Sequence, residues 1–146
     1  KVIFHDILPN LSDEFATQVS LKQLQEEADI LSLHLPITPD TRYIFNEKMI
    51  AGMKKNFYFI NTARGENVNT KDLVKAMKSG KIKAVCLDVL EFEKPSFENI
   101  TEKNEDLKYL LQSENAIVTP HIAGWTIQSK EKLAQIIVDK ILAQFP

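Results

Sequence analysis

Three side chains stand just past the ends of three apolar runs, and together they could bind an anion and move a proton. Arg64 follows Phe57–Asn61, Glu93 follows Ile82–Asp88, and His121 follows Ala116–Thr119. An Arg guanidinium is a rigid fork of donors that grips a carboxylate through two parallel hydrogen bonds. A neutral imidazole is the natural proton acceptor near pH 7. A carboxylate beside it favours the protonated form. If the three runs are parallel strands, all three side chains reach the sheet edge at which α/β proteins bind ligands.

Each residue also has a plainer reading. Arg64 lies in Asn61-Thr62-Ala63-Arg64-Gly65 and reads equally as a surface Arg in a strand-to-helix loop. Asp88-Val89-Leu90-Glu91-Phe92-Glu93 could be a solvated acidic loop, and a lone His in Thr119-Pro120-His121-Ile122-Ala123-Gly124 could be structural. The coincidence of all three at strand ends favours chemistry. Asp6, at the end of the first run, reads either as a turn former or as an acceptor for the ribose hydroxyls of a dinucleotide, where it would repel a 2′-phosphate. His5 and His34 read as packed strand residues, and Pro36 as a strand stop.

The elements that must position these residues follow from periodicity. Apolar runs at Lys1–Asp6, Ile30–Leu35, Phe57–Asn61, Ile82–Asp88 and Ala116–Thr119 read as strands. Between them, Ser20 opens a short helix with Leu21, Leu24 and Ala28 on one face, and Asn46 caps another through Met53. Thr70 is expected to cap a helix with Leu73, Val74 and Met77 inward and Gly80 as its stop. A helical patch surrounds Leu107, Leu110 and Leu111, and a long helix starts near Thr126. Short strands alternating with helices imply βαβ units, hence an α/β, Rossmann-like, doubly wound and mostly parallel sheet.

Composition narrows the function classes. A net charge of −2 leaves no basic footprint for nucleic acid. One Cys excludes an internal disulfide, and Cys86 in its apolar run reads as a small buried hydrophobe. No run is long enough to cross a bilayer, so no membrane partner and a cytoplasmic location are expected. Only four glycines occur, at 52, 65, 80 and 124, so the G-x-G-x-x-G phosphate loop is absent. The chain opens inside a strand and ends on an unfinished helix, which reads as a fragment. Residues 1–125 are expected to form a partial nucleotide-binding domain, and residues 126–146 a helix leading toward a further domain. The lone fragment is expected to be inactive and to bind NAD poorly.

At these motifs the sequence resembles the D-isomer-specific 2-hydroxyacid dehydrogenase family, which includes phosphoglycerate dehydrogenases. The resemblance runs through Leu33-His34-Leu35-Pro36 with Pro39-Asp40-Thr41, then Phe59–Gly65, Leu87–Glu93 and Thr119–Gly124. It implies an NAD-dependent oxidoreductase acting on a 2-hydroxy or 2-oxo acid, and a homodimer. It implies that Arg64 binds and polarises substrate, that His121 is the acid/base, and that Glu93, not Glu91, orients His121. It places NAD against Asp6, Leu35, Pro36, Thr62, Ala63, Arg64, Asp88, His121, Ala123 and Gly124, with Asp88 at the nicotinamide carboxamide. Trp125 departs from the family's usual small residue and is expected to pack on the following helix. Corepressors of the same family offer an alternative, a nucleotide-sensing interaction module. A flavodoxin-like binding domain is a third reading and predicts no approach of Arg64 to His121.

Overall fold

The computed structural model describes residues 1–91 and 104–145. In chain order these form β1 (Ile3–Phe4), β2 (Thr17–Gln18), α1 (Leu21–Glu27), β3 (Ile30–Leu33), α2 (Glu47–Gly52) and β4 (Phe57–Asn61). There follow α3 (Thr70–Lys78), β5 (Ile82–Leu87), α4 (Glu105–Gln112), β6 (Ala116–Val118) and α5 (Ile127–Gln144). The main sheet runs β3-β4-β5-β6, and every pairing in it is parallel. All four strands therefore end on the same edge.

Alternation builds the core. In β4, Phe57, Phe59 and Asn61 point inward while Tyr58 is exposed. Phe45, from the loop before α2, stacks on Phe59 with ring centroids 3.8 Å apart and meets Phe57 edge-on at 6.4 Å. Leu73, Val74 and Met77 of α3 cover this layer, and Leu110 of α4 extends it. Asn46 caps α2 by accepting from the amides of Lys48 and Met49. Gly80 ends α3 with φ 75°, the left-handed backbone that favours glycine.

Several expectations need correction. The first strand is two residues long and pairs in parallel with β2, apart from the main sheet. Thr17–Gln18 carries no apolar alternation, so periodicity could not reveal it. The cap of α3 is Asn69, which accepts from the Asp72 amide; Thr70 is already helical. Leu21 is exposed, and Cys86 is only half-buried. His34 lies beyond β3, exposed, with Nε2 2.9 Å from Ser32 Oγ, and is not packed in a strand. His5, also exposed, has Nδ1 3.1 Å from the carbonyl of Val19. Trp125 does not pack on the following helix; it is 72% exposed. No residue of α5 is buried. Among the described residues, no helix is long and apolar enough to cross a membrane.

Candidate active site

Asn61 shapes the end of β4. It is buried, and its Oδ1 accepts from Ala63 N at 3.0 Å while its Nδ2 donates to the carbonyl of Arg64 at 3.0 Å. Asn side chains close such turns because they mimic a backbone peptide. The closed turn leaves Thr62 and Arg64 exposed at the edge and buries Ala63. Arg64 Nη1 donates to the carbonyl of Ala63 at 2.6 Å. Gly65 comes next, and a Cβ built on it would lie 2.0 Å from the carbonyl oxygen of Leu90. The turn after β4 therefore rests directly on the backbone of the turn after β5.

The β5 turn also holds the β6 turn. Asp88 is 4% exposed. Its amide donates to the carbonyl of Asn61 at 3.0 Å, and its carbonyl accepts from the His121 amide at 2.9 Å. Its carboxylate accepts from Thr119 Oγ1 at 2.6 Å, Ile122 N at 2.8 Å and Ala123 N at 2.9 Å. His121 has φ 55°, in the left-handed region that non-glycine residues seldom enter. Backbone of this kind is concentrated at functional sites. Arg64 and His121 thus leave the sheet at the same edge, each through a turn seated on that of β5.

Burial alone would raise the Asp88 carboxyl, but the Thr119 hydroxyl, the Ala123 and Ile122 amides and the charge of His121 outweigh it and hold it below its ordinary value. A depressed native pKa stabilises the fold at pH values above the unfolded one. This contribution is therefore full above about pH 4–5, where an unfolded Asp is ionised, and is lost as pH falls through the lower native value. Unfolding titrations of the full-length protein from pH 7 down to pH 3 should show this acid loss, reduced in Asp88→Asn. Identical acid limbs in the two proteins would refute the assignment.

The other anticipated positions lie as follows. Leu35 and Pro36 follow β3 on the same edge, and the Pro36 carbonyl accepts from Thr41 Oγ1 at 2.6 Å. Asp6 is exposed and accepts from the Leu8 amide at 2.8 Å, so it does form a turn. Gly124 is open: a methyl group added there would meet nothing within 4 Å. Glu93 lies outside the described residues. Glu91 Oε2 accepts from the Thr70 amide at 2.9 Å, at the positive end of α3. The roles of two residues were not read from the sequence. One is Asn61. The other is Asn67, fully buried, whose Nδ2 donates to the Thr41 carbonyl at 3.0 Å and ties the 36–41 turn to the turn after Arg64. An Asn directly after an apolar strand was the available signal for the first; nothing local marks the second.

A family model described as D-isomer specific 2-hydroxyacid dehydrogenase, NAD binding domain, matches residues 1–123. The chain belongs to this family. Among the relatives of this dehydrogenase-family domain is "2-hydroxyacid dehydrogenase homolog 1" of Schizosaccharomyces pombe, 37% identical over 97% of this chain and 44% of the relative. A D-lactate dehydrogenase structure from Treponema pallidum superposes with a TM-score of 0.80 at 33% identity, covering 100% of this chain and 46% of that one. A D-lactate dehydrogenase from Aquifex aeolicus, solved with NAD and lactic acid, gives a TM-score of 0.76 at 35% identity, covering 99% and 48%. The chain thus spans under half the length of these relatives. They agree with the Rossmann-like α/β reading. The corepressor-like alternative draws no support from them, and family membership replaces the flavodoxin-like reading.

Proposed function

We propose that the full-length protein is an NAD-dependent oxidoreductase interconverting a D-2-hydroxy acid and a 2-oxo acid. The observation that carries this reading is the joining of the Arg64 and His121 turns through Asp88 and Leu90 on one edge of a parallel sheet. Arg64 binds the substrate carboxylate and polarises the carbonyl oxygen. His121 donates a proton to that oxygen in the reducing direction and removes it from the hydroxyl in the oxidising direction. Glu93 orients His121 and favours its protonated form.

The residues present fit the nicotinamide side of an NAD site. Backbone at Thr62, Ala123 and Gly124 reaches the edge, and the open surroundings of Gly124 leave room for a ligand. When bound, NAD would accept the hydride in the oxidising direction and NADH would supply it in the reducing direction. Leu35, Pro36, Thr62, Ala63, Asp88, Ala123 and Gly124 would line it, with Asp6 at the ribose. No residue here forms a glycine-rich pyrophosphate loop. Residues 1–125 serve as the nucleotide unit and α5 as the connection onward. A homodimer in the cytoplasm belongs to the same proposal; the exposed apolar residues of α5 support a covered surface.

The decisive experiment follows NADH oxidation by the full-length protein with glyoxylate, pyruvate, hydroxypyruvate and bulkier 2-oxo acids, and determines the configuration of chiral products. Turnover to D-products supports the reading. L-products, or no turnover with the whole set, sink it. The same assay tests Asp6: kcat/KM should favour NADH over NADPH, since a carboxylate and a 2′-phosphate repel at close range. Equal values with both cofactors would leave Asp6 as a turn former alone.

A further inference from the structure

Among the described residues nothing apolar covers the loop that carries His121, and residues 120–128 are all exposed. Yet His121 adopts a left-handed backbone, which the loop would relax if it were free. Beside the bonds of the His121 amide to the Thr119 carbonyl and of the Thr119 amide to the Leu87 carbonyl, a set of hydrogen bonds converging on one residue opposes relaxation. Asp88 receives the His121 amide on its carbonyl, and Thr119 Oγ1, Ile122 N and Ala123 N on its carboxylate. The donors flank His121 on both sides. Three of the roughly four acceptor sites of the carboxylate are thereby used inside the protein. Hydrogen bonds to an ionised acceptor are also the stronger kind.

We infer that Asp88 is the positioning residue of the His121 loop: its buried carboxylate, through three hydrogen bonds, holds residues 119–123 and so aims the imidazole. This goes beyond a contact between Asp88 and the nicotinamide carboxamide. The catalytic half of the inference rests on His121 being the acid/base of the proposed reaction; the loop-holding half does not. Asp88 acts on the proton transfer through His121, separately from its contact with the nicotinamide.

Asp88→Asn is the direct test, because it keeps the shape but makes one acceptor oxygen a donor. Whichever way the amide turns, at least one of the Thr119, Ile122 and Ala123 donors faces another donor. Hydrogen exchange over residues 119–126 of the full-length protein, without cofactor, should then quicken about 10- to 100-fold, while the segments of β4 and α3 keep their protection. Thr119→Val removes a single donor and serves if Asp88→Asn does not fold; it should quicken exchange less, and Thr119→Ser should restore it. In the kinetic arm, Thr119→Val, which removes a donor to Asp88 without touching any residue placed against NAD, should lower kcat about fivefold, and Thr119→Ser should restore it. Unchanged exchange in both Asp88→Asn and Thr119→Val overturns the inference, even if His121 proves catalytic. A weakened NAD Kd with loop protection intact also overturns it and assigns Asp88 to the cofactor. If the native protein turns over no 2-oxo acid, the functional reading fails while the exchange result still decides what holds the loop.

Discussion

Replacing His121 by Gln in the full-length protein should lower kcat about 10²- to 10⁴-fold, the range that a positioned acid/base contributes. Substrate KM and NAD affinity should change far less, since in the proposed role the imidazole acts mainly on the proton in flight. One complication is conformational. His121 has φ 55°, and Gln enters that region less readily than His, at a cost of about 1 kcal/mol. His121→Asn separates the two effects. Asn adopts left-handed backbone easily but cannot carry a proton near neutrality. Both variants should be comparably inactive. Should Asn retain more than a tenth of the native kcat, the backbone matters and the proton transfer belongs elsewhere.

Gly65→Ala should damage stability and activity together. The added methyl would stand 2.0 Å from the Leu90 oxygen and 2.1 Å from its carbonyl carbon. Both are backbone atoms, so no rotamer change can relieve the overlap. Overpacking of this kind costs typically about 1–3 kcal/mol, read as a shift of the denaturant midpoint. The two turns must part, and Arg64 moves with the first. A displacement of about 1 Å at a positioning group can cost about 10²-fold in rate. Gly124→Ala is the control. It meets no atom within 4 Å, and its stability should stay within about 0.5 kcal/mol of native. A Gly65→Ala protein with native midpoint and native kcat/KM would show that the β4 and β5 turns are free to separate.

The parts of this fold that were legible in the sequence are those written in apolar runs. Phe57–Asn61 and Ile82–Asp88 announced themselves because buried strands must be continuous stretches of apolar or alternating residues. Arg64 and His121 were legible because each follows such a run within a few residues. What escaped depends on distant partners. Asp88 could be seen at a strand end, but its donors at Thr119, Ile122 and Ala123 lie 31 to 35 residues away in sequence. Asn67 finds Thr41 across 26 residues. The strand Thr17–Gln18 is made by backbone pairing alone, so its side chains carry no mark of it. Asn69 and Thr70 can both cap, but Asn is the better N-cap of the two, and the helix starts accordingly one residue earlier than expected. The expectation for Trp125 failed because a large ring implies burial only where a neighbouring surface exists to receive it.

The left-handed backbone at position 121 narrows which amino acids evolution could have settled there. Besides Gly, the residues that enter this region with least penalty are Asn, Asp and His. Gly and Asn have no proton to exchange in the physiological range, and an ordinary Asp has lost its own well below it. His alone meets both demands. A search by random mutagenesis for functional substitutes at this position would thus have almost nowhere to go, because the main chain excludes most candidates before the chemistry is tried.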